Sequence, residues 1–597
     1  MTDSTVNDTR IGRFILRSGS ALASVLLGWA LMTSATYAAD AKKPAEEKNP
    51  HAEVYDESAY PSASKCATCH KQIYNEWSSS SHAYAGISPM FHKFEQKIND
   101  LAPTISNFCV RCHMSVGTTL GEKREAPLWE RSQISREGVT CVTCHRVDEQ
   151  FGKVNGDRRI EPGDIHQPMF GPIGGDGVAE VVANKGEYKV ATTPSERGTK
   201  IHTTGVKFDQ LKKSEFCVSC HQVAVNLGIK LEVVWDQYRN SPALEQGVTC
   251  QDCHMGKVPG VAAGYERGPA AEMQGKSPNK DRQHSNHAFY GPGYPIAHPG
   301  IFPHNPEAER WTVRDWLKFD YRAGWGTEEF EEKVDSEELT VEFPDVWDDA
   351  DDRAEAREIV AENLEKIAEK AELRRQVMEN GAHLDGPFFA SKPQAGESLS
   401  FHYTLTNTNT GHNLPSGSLG AQPELWLNVA LIDPDGKNVW ESGYVDKNGD
   451  MADLHSLEVA AGTIAHDDQL FNLQTKFLTT NVKGTDREMY LPVNLDVDQL
   501  PFLRPPAQPV TVMNHPPFVR MESRSLPPLG SRDAKYSVPG ELLTKPGKYK
   551  LQVRMRSRAE PIYFMRFVNA TADMEQSMNE WMLDLHQYAV EFDVPAQ

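Results

Sequence analysis

The chain has no cysteine outside one repeated pentad, no long apolar run after residue 32 and no surplus of positive charge. Each absence excludes something. With every cysteine committed to the pentad, none is left for a separate disulfide framework. The first cysteine is Cys66, so a lipid-anchoring cysteine near the leader is not expected. Without a second apolar run, the mature chain should carry no integral membrane segment. The 62 basic residues stand against 83 acidic ones, a net charge of −21, which tells against nucleic acid or an anionic membrane as partner. It favours a partner with a basic docking surface. Acidity that serves only solubility is the plainer alternative.

At 597 residues the chain exceeds one ordinary core, so two or three domains are expected. A hydrophobic content of 39% and a mean hydropathy of −0.54 describe a soluble globular protein. Residues 1–39 read as a secretory signal peptide. Arg10, Arg13 and Arg17 precede the apolar run ALASVLLGWALM (21–32), and small residues follow, with cleavage expected after Ala38 or Ala39. The mature protein should then be periplasmic, secreted or at the cell surface, and an uncleaved anchor is the alternative.

What is present is the pentad itself: CATCH (66–70), CVRCH (109–113), CVTCH (141–145), CVSCH (217–221) and CQDCH (250–254). Cys66, Cys69, Cys109, Cys112, Cys141, Cys144, Cys217, Cys220, Cys250 and Cys253 account for all ten cysteines. Five such motifs in an exported chain read as c-type haem attachment sites. Two thioether bonds need sulfurs at i and i+3 and the iron needs an imidazole at i+4, so one helical turn presents all three. The proximal ligands are then His70, His113, His145, His221 and His254, and the cofactors five covalently bound haem c groups. Zinc would need four ligands closing a tetrahedron, and this arrangement offers no natural partition into such sets.

FCVRCH and FCVSCH each precede a GVTC segment, and Cys109 to Cys141 nearly matches Cys217 to Cys250 in spacing. This suggests a duplicated dihaem unit with the 66–70 site added in front. Close motifs would keep haems near one another, as single-electron relays require. For the opposite side of each iron, the preferred ligands are His82 in EWSSSSHA, His202 in KIHTTG, His287 in QHSNHAFYG and His412 in GHNLPSG. A fifth is open among His92, His166, His284 and His298. Met114 and Met255 read as packing residues, and bis-His ligation implies low potentials.

CATCHKQIYNEWSSSSHA, KSEFCVSCH (213–221), GVTCQDCHM (247–255) and SNHAFYG (285–291) together resemble the multihaem cytochrome c superfamily. That group contains the tetrahaem electron carrier of ammonia oxidisers, the hydroxylamine oxidoreductases and the pentahaem nitrite reductases. The resemblance spans about residues 60–300 and implies that His82 ligates a haem. GHNLPSG resembles a segment of β-domains that follow such haem domains, whose histidine reaches back to an iron; a simple tight turn is the alternative. All five motifs end in His, where the nitrite reductases have a Lys in one. There are five motifs, where hydroxylamine oxidoreductases usually have eight. The resemblance therefore carries over electron transfer rather than those activities.

The fold expected is multidomain α+β. A mostly α and loop pentahaem cytochrome c domain (40–325) is followed by an acidic linker and long amphipathic helix (326–393) and a C-terminal antiparallel β-sandwich (394–597). The helix is expected from Asp349 to Asn380, with Val360, Leu364, Ile367, Ala371 and Met378 on its apolar face and Gly381 ending it. Period-two alternation over 398–407, 424–432, 548–557 and 587–594 marks the strands. An electron-transfer protein, with redox protein partners as donor and acceptor, is the first reading. A multihaem oxidoreductase with one open haem acting on a small nitrogen or sulfur oxyanion, and a subunit of an extracellular haem filament, are the alternatives. Self-association into a homo-oligomer fits any of the three.

Overall fold

A computed structural model describes residues 59–101, 107–150, 155–156, 158–224, 230–417, 423–474, 476–479, 489–491, 519–522 and 524–596. Residues Met1–Glu57 and Ser58–Gln597 divide as two units; the expected signal peptide, residues 1–39, lies outside the described residues. The architecture is α+β. Short helices and loops carry the pentads, a long helix follows, and antiparallel sheets close the chain.

The first part owes little to regular structure because its elements are only a turn or two long. Helices Val110–His113, Cys141–His145, Val218–His221 and Cys250–His254 each hold a pentad or most of one. In the first pentad the helix Ala63–Ala67 ends early, yet the His70 N–H still donates to the Cys66 carbonyl at 2.9 Å, completing one helical turn. The two GVTC segments enter their helices alike. Gly138 and Gly247 both take positive φ, +65° and +71°, a conformation glycine adopts without a Cβ clash. At Gly138 the close approach is to the His82 carbonyl, where a Cβ would come within 2.6 Å. The following Val139 N–H donates to that same carbonyl at 3.0 Å.

The long helix, Ala350–Asn380, starts where Asp349 caps it, its side chain accepting from the Asp351 N–H. It ends at Gly381, which stays in the right-handed region as the chain passes into a strand. Its first turns cover an aromatic core of Trp311, Trp316, Phe319, Trp325, Phe330 and Trp347, with Ala356, Ile359 and Val360 on the helix side. The acidic segment before it contributes Phe330 to that core and Glu331 to a bonded ion pair with the buried Arg353. The buried stripe includes Val360, Ile367 and Met378 of the apolar face expected of it, but departs from that face elsewhere. Leu364 is 39% exposed, while Asn363, Lys370 and Arg374 lie inside. Asn363 has specific partners: its amide donates to the Pro299 carbonyl at 2.6 Å and accepts from Asn305. The helix is thus pinned to the proline-rich loop 291–306 by hydrogen bonds as well as by apolar contact.

Among the described residues, seven strands form the sandwich: β1 Ala382–Phe389, β2 Leu399–Asn407, β3 Glu424–Ile432, β4 Asn438–Ser442, β5 Ser531–Val538, β6 Gly547–Arg558 and β7 Leu583–Val594. One sheet runs β5-β2-β1 and the other β4-β3-β6-β7, all pairs antiparallel. Alternate residues of β2, namely Leu399, Phe401, Tyr403 and Leu405, face Leu425, Leu427, Val429 and Leu431 of β3 in one shared core. Between β6 and β7 the helices Ile562–Phe567 and Ala572–Glu580 turn away from the sandwich. They pack Met565 and Met578 with Met90 and Tyr294 of the first part of the chain.

Candidate functional site

Four of the five pentad histidines face another histidine ring. His70 faces His202 with ring centres 6.4 Å apart, His82 faces His221 at 6.2 Å, His145 faces His287 at 6.5 Å and His254 faces His412 at 6.0 Å. With about 2 Å between a metal ion and an imidazole nitrogen, and about 1 Å from that nitrogen to the ring centre, two axial imidazoles on one iron stand about 6 Å apart. The spacing therefore fits a metal held between each pair.

Hydrogen bonding leaves the right nitrogen for it. The Nδ1–H of His70 donates to the Ala270 carbonyl at 2.6 Å, that of His145 to Phe170 at 2.7 Å and that of His254 to Tyr290 at 2.7 Å. On the opposite side, Nδ1–H of His202 donates to Thr204, of His287 to Ser285 and of His412 to Asn413. These bonds fix each ring and its tautomer, so that Nε2 carries the lone pair toward the partner ring. Burial holds the imidazoles neutral, the form a metal needs. His82 is pushed down to about 3, and His113, His202, His221, His287 and His412 to about 4. His82 Nδ1 is itself buried without a partner.

The fifth pentad histidine differs. Among the described residues no histidine ring faces His113; Phe91 instead lies flat against the side of its imidazole, the two rings stacked at 4.1 Å and 11°, and the His113 ring hydrogen-bonds the Ala85 backbone. Three of the four histidines held open for this position have Nε2 engaged elsewhere, while that of His166 is buried without a partner. His92 Nε2 bonds the Gly86 carbonyl, His284 Nε2 bonds Glu76, and His298 Nε2 bonds the Phe319 carbonyl. His166 donates through Nδ1 to Ile201, beside His202 rather than His113. Nothing in the sequence around Phe91 marks it, since a buried phenylalanine in a helix reads as ordinary core.

The cysteines bring the motifs together in an order the sequence does not follow. Cys66 touches Cys141, Cys112 touches Cys220 and Cys217 touches Cys250. Arg158 bridges the third and fourth motifs, donating to the Thr143 and Phe216 carbonyls and lying 3.9 Å from Cys144 Sγ. The first motif thus adjoins the third, the third the fourth, and the fourth both the second and the fifth. Within the sequence repeat, Cys217 and Cys250 touch, whereas the second and third motifs turn to different neighbours.

Glu137 ties the first and third motifs. Its buried carboxylate accepts from Ser62 Oγ, from the Ala63 N–H at 3.0 Å and from Thr140 Oγ1 at 2.6 Å. His412 is brought to the site by loop docking: the Asn413 N–H and Ser416 Oγ both donate to Gln237 Oε1. Among the described residues, no group of three or more His, Cys, Asp or Glu converges as a cage for a bare metal ion.

Residues 65–146 match the family model described as cytochrome c554 and c-prime. That supports a multihaem c-type cytochrome. The matched segment holds the first three pentads together with His82 and Phe91. It supports covalently bound haem c and electron transfer in general terms. No curated protein matches the chain. Among the described residues no helix is long and apolar enough to cross a membrane.

Proposed function

We propose that this chain is an exported pentahaem c-type cytochrome that passes electrons between protein partners. The observation carrying the proposal is the four facing imidazole pairs at 6.0–6.5 Å, each built on a pentad histidine. When bound, haem c supplies an iron that gains and loses single electrons. The ten cysteines would hold five haems as thioethers. His70 with His202, His221 with His82, His145 with His287 and His254 with His412 would supply the axial nitrogens of four.

The rest of the chain's work is positional. Carbonyl bonds to Nδ1 keep the rings aimed and raise their donor strength. Burial keeps water from competing and the imidazoles uncharged. The touching cysteines support a continuous series through the first, third, fourth and fifth motifs, with the second joined at the fourth. Paired histidines, lacking a thioether ligand, set low potentials. Residues 1–39 would direct the chain to the periplasm or beyond. The acidic surface suits basic electron donors and acceptors.

A second reading is favoured by His113, which no histidine ring faces among the described residues. A second haem without a distal side chain is the condition for an oxidoreductase acting on a small nitrogen or sulfur oxyanion. A haem count by pyridine haemochrome and intact mass on protein matured in an export host tests the first reading, and five haems are expected. Fewer than five would sink it. Nitrite, hydroxylamine and sulfite added to the oxidised protein test the second, and spectra that none of them perturbs would exclude it.

A further inference from the structure

The long helix carries two buried cations without a buried anion to meet them. Lys370 is 8% exposed and Arg374 2%. Lys370 Nζ has a single hydrogen bond, to Ser81 Oγ at 3.3 Å. Arg374 Nε and Nη1 donate to the Pro292 and Trp581 carbonyls, and Nη2 is buried without a partner. Less buried cations on the same helix behave differently: Lys366 pairs with Glu362, and Arg375 with Glu372 and Glu379. No carboxylate among the described residues forms an ion pair with Lys370 or Arg374. The groups acting on Lys370 are its burial and Arg374, and on Arg374 its burial and Tyr294.

Both cations line a small void bounded by Ser79, Ala288 and Tyr290. Lys370 also lines the adjoining cleft of about 400 Å³, with Lys71, Gln72, Asn75 and Asn286 on its walls. Glu76, Glu272 and Glu369 reach that cleft too, but Glu76 is taken up by His284 and the His287 N–H. The void is lined by Ala288, which follows His287, and its Lys370 bonds Ser81, which precedes His82.

A buried cation without a counter-charge is strongly destabilising, and hydrogen bonds to neutral carbonyls offset only part of that. An ammonium with two donor directions unused and a guanidinium with a free Nη2 together present what a carboxylate or oxyanion accepts. We propose that Lys370 and Arg374 form an anion site at the seam between the long helix and the pentad-bearing segment. Its ligand is a carboxylate or small inorganic oxyanion, chemistry shared by a haem propionate and by a free ion of sulfate size. The propionate source rests on the haem reading above; the free-ion source does not.

The test uses the haem-loaded protein and its Lys370→Met, Lys370→Arg and Arg374→Gln variants. Sulfate is titrated calorimetrically, and haem potentials are read by optical redox titration in sulfate-free buffer. A free-ion site gives one sulfate per chain, with affinity at least tenfold weaker in Lys370→Met and Arg374→Gln and recovered in Lys370→Arg. A propionate site gives no sulfate binding, and the midpoint of one haem falls in Lys370→Met and Arg374→Gln but not in Lys370→Arg, because removing a nearby positive charge favours the ferric state. No sulfate binding together with unchanged potentials in both neutral variants overturns the proposal. A haem count below five counts against the haem reading, and the sulfate titration then decides this site alone.

Discussion

His254 and His412 face each other at 6.0 Å with their rings 18° from parallel, although one ends the last pentad and the other sits in the first long loop of the β-sandwich. The sandwich is thereby more than an appendage. It delivers an imidazole to a site whose other half is built by the segment carrying the cysteines. Gln237 secures that delivery, accepting from Asn413 and Ser416 on either side of the cis peptide at Pro415.

Replacing His412 by alanine should convert one low-spin haem to high-spin while leaving the loop docked, because the Gln237 contacts do not involve the imidazole. Electron paramagnetic resonance of the oxidised variant should show one low-spin signal lost and the haem count unchanged. An unaltered low-spin population would remove His412 from the ligand set.

His82 lies twelve residues after the first pentad histidine yet faces His221 at 6.2 Å. His82→Ala should therefore alter the haem of the fourth motif rather than the first. In His70→Met, which perturbs the first haem, the His82→Ala change should still appear as a separate, additive spectral shift. A shift absent from the double variant would assign both residues to one haem.

Glu137 sets a pH dependence. Burial pushes its carboxyl up from 4.5 to about 7. Between those values the folded protein keeps a proton that the unfolded chain has released, so stability is full at low pH and falls as pH rises through the window. The loss amounts to about 3 kcal/mol and levels off above it. Thermal unfolding of Glu137→Gln compared with the parent at pH 5 and pH 8 should show the variant losing less stability over that interval. Equal losses would place the carboxyl's titration elsewhere.

Leu427 is fully buried between the two sheets. Leu427→Ala should cost about 2–5 kcal/mol through lost burial and the cavity left behind, measured as a lowered unfolding midpoint of the C-terminal part. The haem absorption spectrum should be unchanged except for the His412 site, the one that depends on the sandwich.

The cysteines were the most legible feature, because covalent chemistry demands a fixed spacing and the chain keeps it five times. His82, His202, His287 and His412 stood out by their flanks. Which pentad each would face was not legible, since that depends on how loops return in space: His82 passes over its own motif to meet the fourth. Phe91 left no mark for the opposite reason, being an apolar residue on an apolar face. The long helix is bounded by Asp349 and Gly381 as capping chemistry suggests, and periodicity finds Val360, Ile367 and Met378 on its inner face but not the polar residues among them. Asn363 is inside because the Pro299 carbonyl and Asn305 bond it, and Arg374 because the Pro292 and Trp581 carbonyls do, whereas periodicity weighs only hydrophobicity. Strand β1 was hidden by its Gly386-Pro387 pair, which reads as a turn yet lies in an edge strand where a missing N–H costs little. In β5 the sequence SRDAKYSV shows its inward residues Ala534, Tyr536 and Val538 only once the register is known.

The most direct measurement is low-temperature electron paramagnetic resonance of the fully oxidised, haem-loaded protein, with spins quantified against the haem count. Four low-spin haems and one high-spin haem are expected, the high-spin one assigned to the second motif by its loss in His113→Met. Five low-spin haems would contradict the account at His113. More than one high-spin haem would contradict the paired histidines on which the account rests.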